Sequence, residues 1–310
     1  MRLKAQLILG AALVAAVAFA PVPVAAQAFT PPRGLGSVTL AWQYVSNTGH
    51  RFTDGTFMAT GQSVTTSVLL EVDYAISDRF DATIGLPYVF AKYTGPNEPI
   101  SKLPVDLCRC WHSSFQDVAV TARYRFGNSS WAVTPVVRYG RPTYDYPYRG
   151  EAVVGRDLQE VQVGVLSGLR LPSFLSKATV QVGYTYAFVE RPLDDVPIDR
   201  SNGFIDIGYA LNRRLYLRTG ANLQKTHGGL RIGSTTGNPF PRPGEVNTPE
   251  RGLEADRVLR VNYRQLGGGI SYSVGRTDIF ASFTKYVWGQ DAHNGHFFGL
   301  GATWYFDRSK

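Results

Sequence analysis

Few residues of this chain could do covalent or metal chemistry, and they fall in a handful of places. Cys108, Cys110 and His112 stand together in the run Cys-Arg-Cys-Trp-His. Sulfur and imidazole so close together invite a zinc reading. Three ligands at C-x-C-x-H do not match a standard structural spacing, however. Cys108 and Cys110 are therefore expected as a loop disulfide or a thiol pair, the outcome an exported chain permits. His293 and His296 form a second pair, expected to be solvated, and His50 and His227 stand alone. Ser201-Asn202-Gly203 resembles the nucleophile run of some barrel lipid hydrolases, but the position two residues earlier holds Asp199 in place of the histidine base. Without that base an acyl-enzyme route has no means of activating the serine. No phosphate-cradling, dinucleotide or zincin pattern occurs. The expectation is a chain with no catalytic residue, metal or cofactor.

What remains is a set of charges in otherwise apolar surroundings. The acidic members are Glu71, Asp73, Asp81, Asp117, Glu160 and Asp206, and the basic members are Arg123, Arg125, Arg138, Arg170 and Arg218. Their meaning depends on the elements that hold them. Composition narrows the choice: 44% of the 310 residues are apolar, 18% are charged, and there are 32 glycines and only two cysteines. Disorder is excluded by the apolar content, and a disulfide scaffold by the cysteine count. The one apolar stretch near spanning length is 7–20, at the very start. It follows Arg2 and Lys4 and precedes the small residues Val24, Ala25 and Ala26, as a secretory signal does. The expected division is a signal peptide over 1–26, with cleavage after Ala28 as the alternative, and a single domain over 27–310. Removing Arg2 and Lys4 from the formal +8 leaves 8 − 2 = +6. The basic residues are scattered with no clustered stripe, so no nucleic-acid partner is expected. Loop charge is expected to meet lipopolysaccharide phosphates.

Beyond the signal, twelve stretches alternate apolar and polar with period two: 37–48, 67–77, 80–92, 117–126, 131–140, 159–170, 178–189, 203–211, 215–224, 266–274, 279–288 and 296–306. The second, for example, sets Val68, Leu70, Val72, Tyr74 and Ile76 against Ser67, Glu71 and Asp73. About ten residues is the length a tilted strand needs to cross a bilayer. Connections alternate between short turns, such as 78–79 and 212–214, and long loops, such as 93–116 and 226–264. Aromatics gather at the strand ends. Phe80, Phe126, Trp131, Tyr209, Tyr272, Trp304 and Phe306 are expected at one rim. Tyr44, Tyr88, Phe90, Tyr139, Tyr186, Phe188, Trp288 and Phe298 are expected at the other. These habits predict an all-β, closed antiparallel transmembrane barrel of about twelve strands in the outer membrane of a Gram-negative-type cell. Outer-membrane lipid would surround it, and the barrel assembly machinery would insert it. On that map the eleven charged residues face the lumen, either as a solvated channel field or as ion pairs that neutralise one another. Two features resist the map. Pro87 and Pro135 each remove a ladder donor inside a strand, and Leu259, Val261 and Tyr263 fall on the opposite phase from Leu266, as a bulge or a strand extension would explain.

The runs 114–126 (SFQDVAVTARYRF) and 267–287 (GGGISYSVGRTDIFASFTKYV) carry a family likeness. Both resemble the outer-membrane transporters of the phenol meta-pathway-associated family. The resemblance spans most of the mature chain, through motifs of low information. It implies a non-enzymatic barrel that admits small, often aromatic or apolar, molecules by passive diffusion, with no catalytic residues to carry over. A closed binding or structural barrel acting through its loops is the alternative, and an outer-membrane lipid hydrolase a more distant one. The chain departs from the usual barrel ending, since Trp304-Tyr305-Phe306 is followed by Asp307-Arg308-Ser309-Lys310.

Overall fold

The structure is a computed structural model that describes residues 28–59, 61–95, 103–172, 177–231, 254 and 256–307. The expected signal peptide over 1–26 lies outside the described residues. Twelve long strands form the wall. They are β1 Leu35–Arg51, β2 Ser63–Ala75, β3 Phe80–Tyr93, β4 Asp117–Tyr124, β5 Trp131–Pro142 and β6 Glu160–Arg170, followed by β7 Ala178–Val189, β8 Ile198–Ala210, β9 Leu215–Gly228, β10 Asn262–Val274, β11 Thr277–Gln290 and β12 Ala292–Asp307. Each pairs antiparallel with the next, and β12 pairs back onto β1 from Leu35↔Asp307 to Arg51↔Ala292. The sheet therefore has no free edge along this seam, and the barrel is closed.

The alternation read in the sequence is a division between two solvents. On β1, Leu40 is 57% exposed while its neighbour Thr39 is 3% exposed. Val68, Ile84, Val120 and Val182 are exposed, whereas Asp81, Thr83, Thr121 and Asp206 are buried. A water-soluble sandwich would bury the first group, so the wall is built inside out. An apolar belt of this extent is stable only with lipid as its solvent, and closure satisfies the backbone within the wall. No helix among the described residues is long and apolar enough to cross a membrane; the crossing is made by strands. The aromatic rims are present. Phe126, Trp131, Tyr209, Tyr272 and Trp304 are exposed at the short-turn end, and Tyr139, Phe188, Trp288 and Phe298 at the long-loop end.

Both prolines sit where a ladder breaks on one side. The β4–β5 ladder stops at Arg123↔Val136 and resumes at Phe126↔Val133, so Pro135 falls in the gap. The β3–β4 ladder stops at Gly85↔Ala119; beyond Pro87 a short strand, His112–Phe115, takes over with Tyr88↔Phe115. The phase change near 263 fits the expected strand extension, since β10 runs on to Asn262, and a bulge lies beside it. The β9–β10 register runs unbroken from Leu215↔Tyr272 to Gln224↔Tyr263, so β10 keeps its parity. The irregularity lies in its pairing with β11, where Arg264 faces Trp288 but Gln265 faces Tyr286, leaving Val287 as the extra residue. Val261 and Tyr263 simply point inward, because the lumen there is lined by apolar and aromatic groups.

Candidate functional site

Among the described residues, polar side chains from every side of the wall converge in the lumen. Its floor, at the short-turn end, is made by the first described residues. The Ala28 N–H donates to Gln181 Oε1 at 2.7 Å, and Thr134 Oγ1 donates to the Ala28 carbonyl at 2.6 Å. Phe29 packs with Ala28, Ala132, Val136, Leu166 and Phe204 into a small apolar cluster inside the barrel. Gly168 is needed beneath it, since a Cβ there would lie 2.7 Å from Phe29 Cε2. The N-terminal segment thus enters the barrel and is held by two buried hydrogen bonds.

Above the floor the charges pair. Arg123 donates to Asp81 Oδ1 at 2.7 Å and to Asp73 Oδ1 at 3.1 Å, and Thr83 Oγ1 also donates to Asp73, at 2.6 Å. Arg218 pairs with Asp206 at 3.1 Å. Glu160 receives Arg138 at 2.8 Å and Arg200 beside it. Asp117 accepts the Tyr146 hydroxyl from the long loop over 143–159. Glu71 stands outside these pairs and lines two connected cavities of about 540 and 310 Å³. A third, of about 440 Å³, shares Gln43, Gln162, Thr185 and Phe204 with the first and adds Asn202, Asn222, Tyr263, Gln265, Tyr286 and Phe297. With most charges compensated, the middle of the lumen presents amides, hydroxyls and aromatic faces.

Two of the residues expected along the lumen sit at its short-turn end. Arg125 and Arg170 have inward parity and fall at the short-turn ends of their strands. Arg125 donates to Thr30 Oγ1 at 3.0 Å and to the Asp78 carbonyl at 2.9 Å, and the Arg170 guanidinium lies 4.7 Å from the Phe29 ring centroid. Both clasp the entering N-terminal segment and belong to the floor.

The ceiling is a mat of long loops. A short helix, Pro104–Leu107, turns Asp106 inward, where its carboxylate accepts the N–H groups of Glu151 and Ala152 at 2.8–3.0 Å. Asp256 accepts Gly150 N–H at 2.9 Å, and Tyr148 donates to Glu254 at 3.1 Å. The 143–159 loop is thereby held across the mouth by two neighbouring loops. Burial, and then the nearby Arg200 charge, bring Arg156 down to about 10. Burial alone would raise the Glu151 carboxyl, but the hydrogen bond and charge of His50 outweigh it, so the group lies below its ordinary value. Cys108 and Cys110 are joined in a disulfide, and His112 Nε2 lies 2.8 Å from the Val105 carbonyl. With both sulfurs in that bond, the trio offers no thiolate to a metal.

Strand pairing gives partners to the two histidines, His50 and His227, that stand alone in the sequence. His50 on β1 lies directly opposite His293 on β12. His227 Nε2 lies 2.7 Å from Ser201 Oγ, on the outer face near the long-loop rim. Asp199 stands opposite His227 in the β8–β9 register, but its carboxylate accepts from Val189 N–H and Arg191 and makes no hydrogen bond to that imidazole. Sequence reasoning also missed Arg200, Phe204, Tyr263 and Tyr286 as lumenal groups. Inward parity carried past the apparent strand ends would have found Arg200 and Tyr263; Phe204 and Tyr286 lie on the inward phase within the expected strands 203–211 and 279–288, and carried no charge to single them out.

The chain is similar in fold to an outer-membrane channel. The crystal structure of the COG4313 outer membrane channel from Pseudomonas putida F1 superposes with a TM-score of 0.67 at 13% identity, covering 92% of this chain and 100% of that one. The translocator domain of the autotransporter NalP from Neisseria meningitidis gives 0.50 at 12% identity, over 87% and 88% of the two chains. No family model matches the sequence, and no curated protein does. At such identities the likeness shows the barrel architecture.

Proposed function

We propose that this protein is an outer-membrane channel through which small, uncharged and partly aromatic molecules diffuse passively, with no catalytic step. The short turns would face the periplasm and the long loops the exterior, among lipopolysaccharide. One observation carries the reading: the mid-lumen surface combines Phe204, Tyr263, Tyr286 and Phe297 with Gln43, Gln162, Asn202 and Gln265, while its strong charges other than Glu71 are paired off. Aromatic faces with a few convergent amides suit a flat solute bearing one or two polar groups. Paired charges give an anion nothing to exchange its hydration for. The P. putida channel of the same fold supports the transport class.

A second reading, a shut barrel acting through its loops, draws on the covered floor and ceiling. Planar-bilayer recordings separate the two: steady ohmic current supports diffusion, and silence at all voltages supports the shut barrel. In swelling assays on proteoliposomes, an aromatic alcohol should enter several-fold faster than an anionic sugar acid. Equal rates, or the reverse order, would refute the solute class.

A further inference from the structure

We propose that His50, Glu151 and His293 bind a divalent transition-metal ion of the zinc class, which fastens the 143–159 loop to the seam where the barrel closes. The site draws on three separate parts of the chain. His50 and His293 face each other across the β1–β12 pairing, with ring centroids 4.5 Å apart and planes at 43°. Glu151 descends from the loop and brings Oε2 to 3.1 Å from His50 Nε2. One ligand atom from each residue can be chosen so that all three lie within 4.8 Å of one another. A tetrahedral ion with bonds of about 2.0–2.1 Å needs donor atoms roughly 3.3 Å apart, so a small ring rotation completes the set. Two imidazoles and one carboxylate favour zinc or copper over calcium or magnesium, which seek oxygen-only shells.

The support is already in place. Asp106 and Asp256 fix the backbone of Gly150, Glu151 and Ala152, so the carboxylate is delivered by an ordered loop. The side chains of His50 and Glu151 are 5% and 15% exposed. All three residues border a cavity of about 510 Å³, which leaves room for a water as fourth ligand. The site stands whether or not the lumen conducts, so its test reads binding and loop protection instead of current.

Untagged full-length protein in detergent micelles is titrated with zinc chloride by calorimetry, beside the variants H50Q, E151Q and H293Q and the control H112Q. Wild type should take up one ion per chain, each of the three variants should weaken binding at least about tenfold, and H112Q should match wild type. Zinc should also slow tryptic cleavage after the exposed Arg149 several-fold in wild type and leave the rate unchanged in H293Q. With copper, the paramagnetic resonance spectrum should show coupling to two imidazole nitrogens. Should H50Q fail to fold, E151Q decides, because Glu151 lies outside the wall. The proposal is overturned if wild type takes up no zinc at about 1 mM, if E151Q and H293Q bind as wild type does, or if only H112Q loses the ion.

Discussion

Arg123 holds two carboxylates that would otherwise be buried without a counter-charge. Its side chain is 3% exposed, and those of Asp73 and Asp81 are 8% and 0% exposed. Removing one partner of a buried ion pair costs about 3–5 kcal/mol, because the remaining charge keeps its desolvation penalty. Arg123→Leu should therefore lower the urea midpoint of the barrel in micelles by a corresponding amount, and adding Asp73→Asn and Asp81→Asn should recover most of it. An unchanged midpoint in the single variant would mean that water reaches the cluster. Ser201 tests the opposite kind of claim. Its bond to His227 forms half of a hydrolytic arrangement, but Asp199 is engaged elsewhere. Lipid hydrolysis assays should give the same background rate for wild type and Ser201→Ala; activity lost in the variant would make the protein an enzyme. At this scale, parity alone made Asp73, Asp81, Arg123, Asp206 and Arg218 legible as inward groups. Arg200 was not legible, because Arg200-Ser201-Asn202 is polar throughout. Above the bilayer no lipid demands an apolar face, so the strand loses its signature while the backbone continues to Ile198.

The strands were readable because each must satisfy two solvents along its length, and a period of two is the only pattern that does so. The loops that fold over the mouth left no such trace. Asp106 meets Glu151 across 45 residues, and His50 meets Glu151 across 101; contacts that distant follow no local period. The entering N-terminal segment was equally hidden, since the residues that grip it, Thr134 and Gln181, look like ordinary lumenal positions. Its removal is a direct test of the floor. Thr134→Val with Gln181→Leu deletes both hydrogen bonds to Ala28. If conduction is limited there, single-channel current should rise several-fold in the double variant. Current equal to wild type would place the constriction in the loop mat instead.

For the whole molecule, the claim that lipid solvates the outer surface has a simple measure. Val182 is 44% exposed on β7, and Thr185 faces the lumen on the same strand. Val182→Arg should cost about 2–4 kcal/mol for folding into lipid vesicles, read from urea titrations, while Thr185→Ser should stay within about 0.5 kcal/mol. Equal effects would contradict the assignment of faces. The joint between the first and last strands has a consequence for biogenesis. Thr39 meets Thr303 across 264 residues, in one of the contacts that complete the ring. Any shorter nascent chain would carry two raw, unpaired margins and invite sticking to neighbours. Such a polypeptide gains little by maturing piecemeal as it emerges from the ribosome. The ring can close only once its final ribbon is available, so closure waits on that late meeting of beginning and end.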